Sequence, residues 1–325
     1  MSFLNPLSSL FGTTSKIEIE PFLAISNGKE VFVKGRVITL QKQSLPKAKN
    51  NSLSNIWAAI RRYSVTSIQG IQVIVSSSGK ESKVMTDQDG VFECLLPYDG
   101  ERNVNFRIDS KKDKYQAGPA QLRIDLIEAS HGLISDIDDT ILISHATEVG
   151  KKFWLSISKN AYTRRPFPGV SEFYHRLKVD GGNEVFYVSS SDWSLFDLIQ
   201  DFLKYRNIPI GPILLKDKHI NLKNIWKSGG GSHHHKSEKI RFLLDFFPEM
   251  KFILIGDSGQ HDPEIYSEIK QEFSQRIKAV FIRQVDKKSA DIPGRQQMKG
   301  ELGFHFVQST EEAIKIAESL NLFHP

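Results

Sequence analysis

Three carboxylates stand within four residues at Asp136, Asp138 and Asp139, inside the stretch HGLISDIDDTI from His131 to Ile141. Like charges held this close repel and raise one another's pKa. Two unit charges 4 Å apart cost about 4 kcal/mol at an effective dielectric of 20, so the cluster needs a counter-ion. Further along the chain, FYVSSSD carries Ser189 and Ser190, GGGSHHHK ends on Lys236, and FILIGDSGQHD carries Asp257 and Asp262. Each type of side chain answers a need of phosphoryl transfer. A carboxylate can attack phosphorus and form an aspartyl phosphate, the role that suits Asp136. Protonated, Asp138 can donate to a leaving alkoxide and then take a proton from the attacking water. Mg²⁺, a hard cation that prefers oxygen ligands, would offset the repulsion if held by Asp136, Asp257 and Asp262 with a substrate oxygen. Lys236 adds positive charge beside the phosphate or beside Asp136. Ser189 or Ser190 offers a hydroxyl to the phosphoryl oxygens.

These residues need elements that carry them to one place. From His131 onward, the apolar runs LISDID, EVFYVSS, PILLKD, FILIGD and KAVFIRQV alternate with helical stretches. Leu195, Leu198, Ile199, Phe202 and Leu203 fall on one helical face, and Ile240, Leu243, Leu244 and Phe247 on another. Ser309 and Glu312 form a capping box for a last helix. The alternation predicts a parallel α/β sheet covered on both faces, with its site beyond the carboxyl ends of the strands. The candidate residues stand at those ends. GGGSHHHK, Gly229 to Lys236, reads as a glycine loop leading to its lysine.

The first 130 residues read differently. VFVKGRVITL, IQVIVSSS, VNFRIDS and AQLRIDLIEA are β-rich runs that predict an antiparallel β-sandwich. TDQDGVFECLLP reads as a hairpin with Gly90 at its turn; it lacks the glycine and glutamate that a calcium loop places at its sixth and twelfth positions. NSLSNIWAAIRRY reads as one short helix among the strands. The expected boundary separates domain 1–130 from domain 131–325.

Composition is ordinary for a folded protein, at 39% hydrophobic and 25% charged residues. The net charge of +5 mildly favours anionic partners but equally suits a solvated basic surface. Lys216, Lys218, Lys223 and Lys227 form a basic region consistent with an acidic lipid surface, or with an exposed loop. Cys94, the single cysteine, excludes a disulfide framework within the chain. MSFLNPLSSLFGTT lacks the pattern of a signal peptide, and no run approaches the roughly 18 apolar residues of a membrane span. The expectation is a cytoplasmic protein that meets membranes, if at all, from the surface, and does not bind nucleic acid.

D-x-D-x-T, then serine, then lysine, then G-D-x-x-x-x-D, in that order, resembles the haloacid dehalogenase superfamily of aspartate-nucleophile phosphatases. The resemblance implies a Rossmann-like haloacid dehalogenase fold with Asp136 as nucleophile and Asp138 as general acid and base. It implies Ser189 and Lys236 on the phosphate, and Mg²⁺ on Asp136, Asp257 and the Asp138 backbone carbonyl. HGLISDIDDTI, PFPGVSEFYHRL, FYVSSSDWSLFDLI, HKSEKIRFLLDFFP and FILIGDSGQHDPEIY, with VKGRVI and TDQDGVF before them, resemble the actin-patch-protein family of Mg²⁺-dependent phosphatidate phosphatases. That resemblance implies hydrolysis of phosphatidate to diacylglycerol and phosphate. The residues leave two alternatives open: a phosphatase of a soluble phosphomonoester, and a non-catalytic membrane- or partner-binding module.

Overall fold

The computed structural model describes residues 15–39, 66–109, 115–141, 166–217, 234–285, 292, 294–298 and 303–323. The expected helix NSLSNIWAAIRRY, the stretch between Ile141 and Pro166, and Lys218, Lys223 and Lys227 lie outside these residues. Contacts divide the chain into two compact units, one ending at Leu126 and the other resuming at Ile127.

The first unit holds β1 (Ser15–Ser26), β2 (Glu30–Thr39), β3 (Gln72–Ser77), β4 (Lys80–Met85), β5 (Val91–Pro97), β6 (Asn103–Ile108), β7 (Tyr115–Gln116), β8 (Ala120–Arg123) and β9 (Asp125–Leu126). One sheet runs β5-β2-β1-β7, with β9 also on β1; the other runs β4-β3-β6-β8. The main pairings are antiparallel, and β7 and β9 add short parallel ones. Alternate residues such as Ile17, Ile19, Val31, Val33, Val73, Val75, Val104 and Phe106 form the core that both sheets share. Gly90 takes the expected left-handed turn at φ 69°. Its strands, however, do not form the hairpin predicted for TDQDGVFECLLP. β4 pairs with β3, whereas β5 crosses to the other sheet and pairs with β2, where Phe92 and Leu96 join the core. AQLRIDLIEA likewise breaks into β8 and β9 instead of forming one strand.

The second unit is α/β. Its sheet contains β10 (His131–Ser135), β11 (Asn183–Asp192), β12 (Ile213–Lys216), β13 (Lys251–Asp257), β14 (Ile277–Arg283) and β15 (Phe304–Val307), in the order β12-β11-β10-β13-β14-β15. Every pairing is parallel. The five predicted apolar runs are five of these strands. β15 adds a sixth at the edge; it is only four residues long, and His305 interrupts its apolar pattern. The helices are α1 (Val170–His175), α2 (Phe196–Tyr205), α3 (His234–Phe246), α4 (Asp262–Glu272), α5 (Arg295–Met298) and α6 (Thr310–Ser319). α2 buries Leu198, Ile199, Phe202 and Leu203, as its periodicity predicts, and Leu195 falls in the 3₁₀ turn just before it. α3 buries Ile240, Leu243 and Leu244, and Phe247, the residue after its end, is buried as well. Ser309 caps α6 by accepting a hydrogen bond from the Glu312 amide at 3.2 Å.

From β10 the chain winds outward to β11 and β12, then returns to β13 on the other side of β10 and winds the opposite way. The reversal leaves a crevice between the carboxyl ends of β10 and β13, where sheets of this kind place ligands. The Phe252 and Met250 side chains pack against the Gly132 backbone because Gly132 has no side chain. A Cβ there would lie 2.5 Å from Phe252 Cε1 and 2.8 Å from Met250 Sδ. We predict that Gly132→Ala lowers stability by about 1–3 kcal/mol through overpacking. A urea midpoint unchanged from the parent's would contradict this packing.

Candidate active site

Asp136 follows the last residue of β10 and donates its amide to Ile255 O on β13 at 2.9 Å, which fixes it over the crevice. Asp257 ends β13 and Asp262 opens α4. Carboxylate oxygens of Asp136, Asp257 and Asp262 lie within 4.8 Å of one another, and all three residues are buried. Lys236, in the first turn of α3, is 2% exposed. Its Nζ donates to Asp136 Oδ1 at 2.9 Å and also to Asp262 Oδ1. The predicted glycine loop therefore ends earlier than expected: the helix begins at His234, and Lys236 and Ser237 are buried on it.

The rest of the loop after β10 orients the first carboxylate. Asp139 adopts a left-handed φ of 54°, a conformation that aspartate tolerates better than most side chains. Thr140 Oγ1 then donates to Asp136 Oδ2 at 3.2 Å. Arg283, buried at the end of β14, donates Nε to Thr140 O at 3.2 Å and Nη2 to Thr310 Oγ1 at 3.0 Å. Asp138 stands apart from the three clustered carboxylates, and its Oδ2 accepts from Ser189 Oγ at 3.3 Å. Of the two candidate serines, Ser189 is fully buried and faces Asp138, while Ser190 is exposed. The β-strand alternation at the end of β11 accounts for the difference.

Electrostatics mark this cluster as unbalanced. Burial pushes Asp136 well above the usual carboxylate range; Lys236 pulls it down, and Asp262 and Asp138 push it up. Burial does the same to Asp257, with Asp262 and Asp136 adding to it. Burial carries Asp138 to about 6 against the opposing pull of Lys236 and Ser189. Burial works against the Lys236 ammonium, yet Asp136, Asp262 and Asp257 outweigh it and hold the lysine firmly charged. That single charge does not neutralise four carboxylates. Two buried oxygens, Asp257 Oδ2 and Asp138 Oδ1, also have no hydrogen-bond partner among the described residues. Asp257 Oδ1, by contrast, accepts from the amides of Gly259 at 2.6 Å and Gln260 at 3.0 Å. An all-oxygen donor set with an orphaned carboxylate oxygen and excess negative charge fits a hard divalent cation such as Mg²⁺. Asp136, Asp257 and Asp262 could hold it.

Sequence reasoning missed several supports of this site. Gln260 Nε2 donates to Asp138 O at 3.4 Å, and Trp193 Nε1 donates to Asp217 Oδ1 at 2.8 Å. Asp217 Oδ2 in turn accepts from Lys239 Nζ at 2.6 Å, tying the tip of β11 to the helix that carries Lys236. Arg283 and Arg295 were likewise unmarked. Gly256 has a steric role: a Cβ there would lie 2.5 Å from Asp262 Oδ2.

Comparison with known proteins bears on the segment that builds this site. Residues 131–284 match the family described as phosphatidate phosphatase APP1, catalytic domain. Phosphatidate phosphatase APP1 of Saccharomyces cerevisiae is 33% identical over 166 residues, which are 51% of this chain and 28% of the yeast protein. An uncharacterized protein of Schizosaccharomyces pombe is 27% identical over 215 residues, 63% of this chain and 35% of its own length. The aligned segments thus span about a third of each relative. The resemblance to the actin-patch-protein phosphatidate phosphatases read from the sequence is borne out over residues 131–284. A carbohydrate acetylesterase from Xanthomonas citri aligns over 82% of this chain and 68% of its own, at 11% identity and a TM-score of 0.26, too slight a likeness to bear on the fold.

The raised carboxylates give a signed prediction. Groups whose folded pKa exceeds the unfolded value stabilise the fold while protonated, and that contribution is lost as pH rises through the folded value. The cation-free protein should therefore lose stability from this cluster as pH rises from about 4 through the Asp138 value of about 6. A bound divalent cation should restore it, so the rise in Tm on adding Mg²⁺ should be larger near pH 7.5 than near pH 5. An equal rise at both values, or none, would contradict the electrostatic account.

Proposed function

We propose that this chain is a Mg²⁺-dependent phosphatidate phosphatase that releases diacylglycerol and phosphate through an aspartyl phosphate on Asp136. One observation carries the reading. The buried cluster of Asp136, Asp257 and Asp262 around Lys236 stands within the segment similar to the APP1 catalytic domain. The sheet order, with its reversal beside β10, supports assigning this domain, 131–325, to the haloacid dehalogenase type. In this reading the sandwich, 1–130, is a separate domain.

The chemistry follows from the side chains. Lys236 and Thr140 each bond one oxygen of Asp136, which orients the carboxylate, and Lys236 offsets part of the cost of ionising it in a buried site. An Asp136 oxygen forms the new bond to phosphorus as the bond between phosphorus and the glyceride oxygen breaks. Asp138, whose pKa lies close to neutral, gives its proton to the departing alkoxide. As a carboxylate it then takes a proton from the water that attacks phosphorus, which frees phosphate and restores Asp136. Ser189, whose hydroxyl donates to Asp138, would turn that hydrogen to the phosphoryl oxygens when the ester binds. Mg²⁺ held by Asp136, Asp257 and Asp262, with the Asp138 carbonyl, would neutralise carboxylate and phosphate charge so that the nucleophile can approach a dianion.

Phosphatidate as the substrate rests on the APP1 resemblance. Among the described residues no helix is long and apolar enough to cross a membrane, so contact with lipid in this reading comes from the surface.

Turnover on micellar phosphatidate should exceed turnover on soluble sugar and nucleotide phosphates and should require Mg²⁺. Asp136→Asn should abolish it with folding retained, and Asp138→Asn should slow it by about 10²–10⁴-fold. Preference for soluble esters would replace the lipid substrate with a soluble one. Parental turnover by Asp136→Asn would remove the nucleophile.

A further inference from the structure

The loop between Asp257 and Asp262 has an unusual internal economy. The Asp257 carboxylate turns one oxygen back onto the loop amides of Gly259 and Gln260, and the Ser258 amide donates to Arg283 O at 2.9 Å. The amides of Ser258, Gly259 and Gln260 are therefore satisfied, two of them by Asp257 itself, and the carbonyls of Ser258 and Gln260 take donors from elsewhere. A buried carbonyl without a donor costs about 1–3 kcal/mol.

Arg295 supplies those donors. It is 2% exposed, on the short helix α5, and lies outside the segment 131–284. Nη1 donates to Ser258 O at 2.6 Å and Nη2 to Gln260 O at 2.9 Å. The same guanidinium grips Glu264 bidentately, Nε to Oε1 at 2.6 Å and Nη2 to Oε2 at 3.0 Å. Glu264 lies in the first turn of α4, two residues beyond Asp262. One rigid planar fork thus spans the loop after Asp257 and the helix that starts with Asp262. Lysine, a point donor, cannot reproduce that geometry.

We propose that Arg295 is a positioning residue that sets the separation of Asp257 and Asp262 and thereby the affinity of the site for its divalent cation. The proposal rests on the phosphatase reading, in which these two carboxylates hold the metal. Arg295 bonds the loop and helix that carry the ligands, and its effect is on metal binding before it is on chemistry. Outer partners that orient metal ligands typically change affinity by about 10–100-fold when removed.

The test is Mn²⁺ binding to the full chain without substrate, followed by the electron paramagnetic resonance signal of free Mn²⁺. Arg295→Met should weaken Mn²⁺ affinity by about 10–100-fold, with kcat at saturating metal falling less than the metal activation constant rises. Millimolar guanidinium should restore part of the lost affinity. Arg295→Lys keeps the charge without the fork and should show an intermediate loss, which keeps the question answerable if the methionine variant does not fold. Parental Mn²⁺ affinity in either folded variant would overturn the role of Arg295 and leave the phosphatase reading intact. A parent protein that neither binds Mn²⁺ nor hydrolyses phosphate esters would overturn both.

Discussion

Buried like charge is the constraint on which the rest of this structure depends. Asp136, Asp257 and Asp262 share one crevice, and desolvation alone would drive their protons back on. Lys236 offsets part of that cost by bonding two of them. The remainder calls for another positive charge. The sheet makes this juxtaposition unavoidable, because β10 and β13 are neighbours, Asp136 directly follows β10 and Asp257 ends β13. A fold that only needed stability would pair these residues with cations or replace them with apolar ones. Keeping them close, with Asp257 Oδ2 lacking a hydrogen-bond partner among the described residues, is the arrangement that the proposed cation and anionic ester would balance.

Holding such a cluster requires rigidity around it. Gly132 lets β10 lie close to Phe252 and Met250, and Gly256 leaves room for the Asp262 carboxylate beside β13. Two buried arginines then tie down the loops that bear the acids. Arg283 bonds the carbonyl of Thr140 behind Asp136, and Arg295 bonds the carbonyls between Asp257 and Asp262. On the far side, Asp217 links Trp193 to Lys239, one turn along the helix from Lys236. The charged residues at the centre are therefore carried by a frame of side-chain hydrogen bonds, those of the two arginines to backbone carbonyls.

Much of this was legible in the sequence because chemistry and periodicity coincide there. Carboxylates placed directly after apolar runs identify strand ends, and the alternation of runs with helical faces identifies a parallel sheet. Ser309 and Glu312 cap their helix through local spacing alone. What stayed hidden depends on contacts far apart in the chain. Arg295 meets Ser258 and Gln260 across more than thirty residues, and nothing in its local pattern marks it as buried. β4 and β5 adjoin a turn that looks like a hairpin, yet their partners lie in different sheets. The choice between Ser189 and Ser190 needed the register of β11, and the start of α3 at His234 depended on burial of Lys236, which adjacent glycines and histidines do not reveal.

The most direct test of the central claim is a crystal structure of the protein with Mg²⁺ and beryllium trifluoride, a mimic of a phosphoryl group on a carboxylate. The account predicts beryllium bonded to an Asp136 oxygen, with the cation between Asp136 and Asp257 and the Lys236 ammonium beside the fluorides. Beryllium trifluoride on another side chain, or a cation bound away from these carboxylates, would contradict it.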